Sequence, residues 1–87
     1  MVFKREALKE LRKRLSMSSN DVAFALSETS RLLGLDTSCT GATIRNYESG
    51  RTVPTVNILD SLEVLARYFG HEDVTFYEPS SFVKIKG

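Results

Sequence analysis

Apolar residues recur at helical spacing in four stretches of the chain. Leu8, Leu11 and Leu15, with Phe3 and Ala7 beside them, predict a helix over 3–15 whose charges occupy the other face. The run Ser16-Met17-Ser18 ends it. Ser18, followed three positions later by Asp21, is an acidic form of the capping-box pattern. Val22, Ala23, Ala25, Leu26 and Leu33 then supply the apolar side of a second helix, and Gly34 stops it. Leu35 to Cys39 is a polar connection with Asp36, Thr37 and Ser38 as turn formers. Thr40 caps a short third helix over about 41–49, with Ile44 and Tyr47 as its inward pair and Gly50 as its end. After the loop Arg51–Pro54, Thr55 opens a fourth helix to about Phe69. Its stripe is Ile58, Leu59, Leu62, Leu65, Ala66 and Phe69, and Gly70 closes it.

The pattern changes beyond Gly70. Val74–Tyr77 and Phe82–Lys86 are β-prone, with Pro79-Ser80-Ser81 between them, which predicts a hairpin or an extended arm. A short fifth helix over 72–77 is the alternative. The chain thus divides into a helical domain over 1–70 and a C-terminal extension over 71–87. The extension either dimerises the protein or covers the core of its own chain.

Composition narrows the class. Eighty-seven residues, 41% hydrophobic and 26% charged, suit one small globular domain. Such a core is marginal alone, so a dimer interface would add to it. Cys39 is the single cysteine, which rules out an internal disulfide and a cysteine-based metal site. The first residues are charged and form no apolar run, so no signal peptide or membrane helix is expected and the cytoplasm is the expected compartment. Net charge is only +1, but Lys4, Arg5, Lys9, Arg12, Lys13 and Arg14 face only Glu6 and Glu10 at the N-terminal end. That asymmetry either gives one face a positive potential for phosphates or decorates a solvated helix.

A capped helix, a turn and a short helix with exposed polar residues form a DNA-reading arrangement, in which the second helix enters the major groove. Thr43-Ile44-Arg45-Asn46-Tyr47-Glu48-Ser49-Gly50-Arg51 resembles the end of the recognition helix in the Xre/Cro-like helix-turn-helix family, which includes lambda-type phage repressors. Ser18–Ala23 resembles that family's second-helix start. Leu8–Arg12 resembles its first-helix Leu-x-x-x-Arg, and Leu65-Ala66 through Phe69-Gly70 its closing motif. The four pieces occur in the family's order over residues 5–70. About half a dozen extra residues between Leu26 and Thr40 depart from the family pattern and predict a longer second helix and loop.

The resemblance implies an all-α, compact four- or five-helix, lambda-repressor-like helix-turn-helix domain with a C-terminal extended or β-hairpin segment. It implies a transcriptional regulator, most often a repressor, binding double-stranded DNA as a homodimer on a palindromic operator. It also implies that Arg12 and Glu48 form a structural ion pair between the first and third helices, with a phosphate contact as the other role for Arg12.

Thr40, Gly41, Ala42, Thr43, Arg45, Asn46 and Ser49 fall at or near the exposed side of the recognition helix. Asn46 has the donor–acceptor pair to bind adenine, Arg45 the fork for guanine or a phosphate, and Thr43 a methyl for thymine or a hydroxyl for phosphate. Gly41 and Ala42 either let the helix approach the groove closely or are ordinary small residues at a helix start. Ser18, Ser19 and Asn20 stand at a helix N-terminus, where free N–H groups favour an anion, although capping alone explains Ser18 equally well. Arg51 and Thr52, just past the recognition helix, are further phosphate candidates.

No enzyme is expected. His71 has no second histidine or cysteine at ligand spacing, no glycine-rich phosphate loop occurs, and no nucleophile motif surrounds any serine. No metal or cofactor is called for. Cys39 beside the recognition helix is either a redox switch or, more commonly for such a residue, a small buried hydrophobe. Phe24 lies off the second helix's main stripe, towards the tail or a partner. The competing readings are an antitoxin that also holds a toxin, and a protein-binding antirepressor-like module without DNA contact.

Overall fold

The computed structural model describes residues 2–78. Among them are four helices, α1 (Arg5–Arg14), α2 (Ser19–Leu32), α3 (Gly41–Ser49) and α4 (Val56–Tyr68), and two two-residue strands, β1 (Val2–Phe3) and β2 (Tyr77–Glu78). The domain is therefore all-α, with its two ends joined by a scrap of antiparallel sheet.

Local chemistry sets the helix starts. Ser18 accepts the Asp21 N–H at 3.1 Å while Asp21 accepts the Ser18 N–H at 3.1 Å, a reciprocal capping box that satisfies two donors at the head of α2. Thr40 accepts from the Thr43 N–H and Thr55 from the Ile58 N–H in the same manner at α3 and α4. Helix α3 stops at Gly50, whose φ of 82° is the left-handed conformation glycine adopts without a Cβ penalty. The Arg51 N–H then folds back to the Asn46 carbonyl at 2.9 Å. Helix α1 stops on a non-glycine residue in that region, Ser16, with φ 55°.

The core is continuous across all four helices. Leu8 and Leu11 of α1 meet Val22 and Leu26 of α2, Ile44 and Tyr47 of α3, and Ile58, Leu62 and Leu65 of α4. The α2–α4 contact also encloses a hydroxyl pair, Ser30 and Ser61, at 2.6 Å, so neither buried oxygen lacks a partner.

Four sequence expectations change. Phe3, expected at the start of the first helix, lies instead in β1 opposite Tyr77, so α1 begins at Arg5. Residues 72–77 form no helix: they turn at Glu72–Asp73 and run extended into β2. Phe76 of that run is fully buried in the helical core, so the boundary after Gly70 does not separate two packing units. Leu33 and Phe69, assigned to the apolar stripes of α2 and α4, cap their helix ends and stay 43% exposed. The β1–β2 register pairs Val2 with Glu78 and Phe3 with Tyr77, and the Lys4 N–H donates to the Phe76 carbonyl at 2.8 Å. The β-prone run Val74–Tyr77 thus ends on the N-terminus. Its expected hairpin partner, Phe82–Lys86, lies outside the described residues.

Candidate nucleic-acid interface

Helix α3 is nine residues long, and its two faces have opposite fates. Gly41, Ile44 and Tyr47 recur every third residue and are buried, with Phe3 of β1 stacked edge-on against Tyr47 at a centroid distance of 6.4 Å. Ala42, Arg45 and Ser49 are exposed, and Asn46 beside them is half-buried. These four positions follow the i, i+3, i+4, i+7 spacing that lines one side of a helix. A rod of this length, about 13 Å at 1.5 Å per residue, spans a major groove about 12 Å wide.

The rotation of α3 about its own axis is held from α1. The Arg12 Nε donates to Glu48 Oε2 at 2.7 Å and its Nη2 to Oε1 at 3.1 Å. Both side chains are largely buried, Glu48 more so than Arg12. The hydrogen bond to Glu48 raises the guanidinium pKa above its ordinary value against the opposing effect of burial, so the charge is permanent. A third nitrogen, Nη1, lies 3.4 Å from the Met17 carbonyl and braces the α1–α2 turn. The pair therefore fixes three segments together, and the contacts of Arg12 are all internal.

At the other end of α3, a close approach sets its distance from α2. A Cβ built on Gly41 would collide with the Asn20 side chain and press on the Asn20 backbone nitrogen at 3.3 Å. Sequence reasoning puts Gly41 on the outward side with Ala42. The structure buries it, because the small residue is needed where the two helix heads meet. Gly41 is thus removed from the candidate contacts.

The remaining candidates divide by what their polar atoms already do. The Ser18 hydroxyl is engaged in capping the Asp21 N–H, and the Ser18 N–H is taken by the Asp21 carboxylate. Ser18 is therefore a capping residue, which leaves Ser19 and Asn20 at that end. The Thr40 and Thr43 hydroxyls lie 3.2 Å apart and face each other, and the Ser49 hydroxyl donates to the Asn46 carbonyl at 3.1 Å. Among the described residues, the side chains of Arg45, Asn46 and Arg51 make no hydrogen bond or ion pair, and Arg51 and Thr52 are exposed on the loop beyond α3.

One cation escaped sequence reasoning. The Arg5 Nη1 donates to the Ser49 carbonyl at 2.6 Å, so a guanidinium sits at the C-terminal edge of α3, where the helix dipole favours positive charge. Its only sequence signal is membership of the basic N-terminal run. Arg14 of the same run instead ties α1 to Asp73, at 3.1 and 3.0 Å.

Cys39 is half-buried behind the head of α3. Its N–H donates to the Ser27 hydroxyl at 3.2 Å and its thiol points to the Ala23 carbonyl at 3.7 Å. Burial pushes the thiol pKa up, partly offset by the Ser27 hydrogen bond. No cluster of three or more His, Cys, Asp or Glu side chains placed to hold a metal ion occurs among the described residues, and no helix there is long and apolar enough to cross a membrane. Comparison with protein-family models, with curated proteins and with solved structures finds no match to this chain.

Proposed function

We propose that this protein is a sequence-specific, double-stranded DNA-binding transcriptional regulator of the helix-turn-helix type, acting as a homodimer on a palindromic operator. The observation that carries this reading is the outward row Ala42, Arg45, Asn46 and Ser49 on a helix whose opposite face is locked into the core. In the proposed complex α3 lies in the major groove, with Asn46 and Arg45 reading base edges. Ser19 and Asn20 at the head of α2, and Arg51 and Thr52 after α3, hold phosphates on either side. The small Ala42 permits close approach to the groove. The resemblance of residues 5–70 to Xre/Cro-like repressors supports the same assignment, with repression by occlusion of the promoter as the outcome. No catalytic step is assigned.

Selection from a random duplex library, followed by titration of the enriched sequences at two salt concentrations, tests the proposal. The expected result is a near-palindrome bound less tightly as salt rises. Asn46→Ala should then cost about 1–3 kcal/mol at one base position and little elsewhere. Folded protein that enriches no sequence and shows no salt-dependent binding overturns the reading.

A further inference from the structure

An apolar surface lies on the α2–α4 face. Phe24 is 69% exposed, Leu32 84% and Tyr68 81%, with Leu33 and Phe69 each 43% exposed between them. Together with Val64 they line an open groove of about 370 Å³ between α2 and α4. Tyr68 and Phe69 are stacked edge to face at 5.1 Å and 88°, so one wall of the groove is an aromatic ledge. No residue of α3 lines the groove. Leu32 stands at the end of α2 far from Ser19, about 20 Å away at 1.5 Å per residue.

The area is at the upper end of what a monomer ordinarily leaves in water, a size that often marks a functional surface. Taking roughly 150–250 Å² for each whole aromatic side chain, the five residues leave on the order of 500 Å² open. A lone small domain rarely exposes more than a few hundred Å² in one patch. A standard protein interface covers roughly 800 Å² per partner, and this patch is of a size to form its apolar centre. The charged side chains beside it carry both signs: Glu28 and Arg31 on α2, which pair with each other, and Asp60, Glu63 and Arg67 on α4, next to Leu33 and Val64. A membrane surface or an acidic partner calls for a positive rim, which is absent here. A mixed rim around an apolar centre suits a surface that meets itself, where Asp60 or Glu63 of one copy can face Arg67 of the other.

We infer that the α2–α4 face is the homodimer interface, with a second copy of this chain as its occupant. Across the two-fold axis, the Tyr68 ledge of each protomer enters the other's groove and covers Phe24 and Leu32. The surface is self-complementary because each protomer supplies both the protruding aromatics and the groove. Both α3 helices remain uncovered. The inference rests on the dimeric operator reading for its purpose, but its geometry stands without DNA.

Sedimentation equilibrium of the full chain over a wide concentration range tests it, with Leu32→Glu/Tyr68→Glu and Tyr68→Phe as variants. Both positions are exposed in the protomer, so all proteins should keep the same helical circular-dichroism spectrum. The wild type and Tyr68→Phe should be dimeric, and the double variant should dissociate at least about 100-fold more readily, as expected for charge placed in an interface centre. A wild type that stays monomeric, or a double variant that dimerises as well as the wild type, overturns the inference. So does a double variant that has lost its helical spectrum while Leu32→Ser/Tyr68→Ser, folded, still dimerises like the wild type. The failure of the DNA reading looks different: the wild type dimerises, the double variant is monomeric, and neither binds any duplex. If both readings hold, the double variant retains single half-site binding and loses cooperative binding to the palindrome.

Discussion

Arg12 and Glu48, 36 positions apart, meet in a two-pronged ion pair with N–O distances of 2.7 and 3.1 Å. The pair joins α1 to the last turn of α3, one residue before the exposed Ser49. A planar guanidinium against a planar carboxylate resists rotation as well as separation, so this contact sets which face of α3 points outward. The core residues Ile44 and Tyr47 oppose rotation from the inner side.

Replacing Arg12 by Ala leaves Glu48 largely enclosed without its partner. The pair lies between the exposed and fully buried regimes, so the expected loss of stability is about 1–3 kcal/mol. Arg12→Lys restores the charge but only one prong, and should recover part of that loss. Urea unfolding measures the stability, and operator titration should show affinity falling with it. An unchanged unfolding midpoint in Arg12→Ala would mean that the core alone orients α3.

The contact of Gly41 with Asn20 predicts a coupled pair. Gly41→Ala forces the Asn20 side chain aside and should cost about 1–2 kcal/mol through overpacking at the α2–α3 junction. Asn20→Ala removes the obstructing carboxamide, so the double variant should be more stable than the two separate effects predict. Thermal unfolding of the four proteins in the cycle gives the coupling. Simple additivity would show that the two residues do not limit the approach of the helices.

Phe76 is the fully buried member of the tail, held by the Lys4 N–H on its carbonyl and by the adjoining β1–β2 pairing. Phe76→Ala should cost about 3–5 kcal/mol, as expected for removing a large aromatic side chain from a packed core. Against a total stability of about 5–15 kcal/mol for a small domain, that loss leaves it marginal or unfolded. Circular dichroism and the urea midpoint read the outcome. A tail that served only to dimerise the chain would lower the association constant and leave protomer stability unchanged.

Burial raises the Cys39 thiol above its ordinary pKa, which determines both its reactivity and a pH dependence. The folded state holds the proton more tightly than the unfolded chain. The thiol's contribution to stability is therefore complete below the unfolded pKa and is lost as pH rises through the folded one. Iodoacetamide should modify Cys39 more slowly in the native protein than in urea, with the native rate continuing to climb into alkaline pH. DNA binding should survive peroxide treatment. Rapid native alkylation at neutral pH would instead mark an activated thiolate.

Much of the helical plan was legible in the residues because it is decided over three or four positions. Ser18 with Asp21, Thr40 with Thr43 and Thr55 with Ile58 are local hydrogen-bond arrangements, and each starts a helix where its spacing predicts. Ile44 and Tyr47 are likewise inward because a short helix has one apolar side to bury. The outward positions Ala42, Arg45 and Ser49 follow from the same period.

What the period cannot express is where a second segment lands. Gly41 falls on the buried side because the head of α2 lies against it, and the hydroxyls of Thr43 and Ser49 engage neighbouring groups. Leu33 and Phe69 fit their stripes but are left partly uncovered by the other elements among the described residues, while Phe76 arrives from outside every helix to fill the core. The sequence by itself determined the four helices and the caps of α2, α3 and α4, since those depend on hydrogen bonds and periodicity along a short stretch of chain. Only the tertiary structure decided which apolar side chains are covered and how α3 is turned, since both depend on contacts between residues dozens of positions apart.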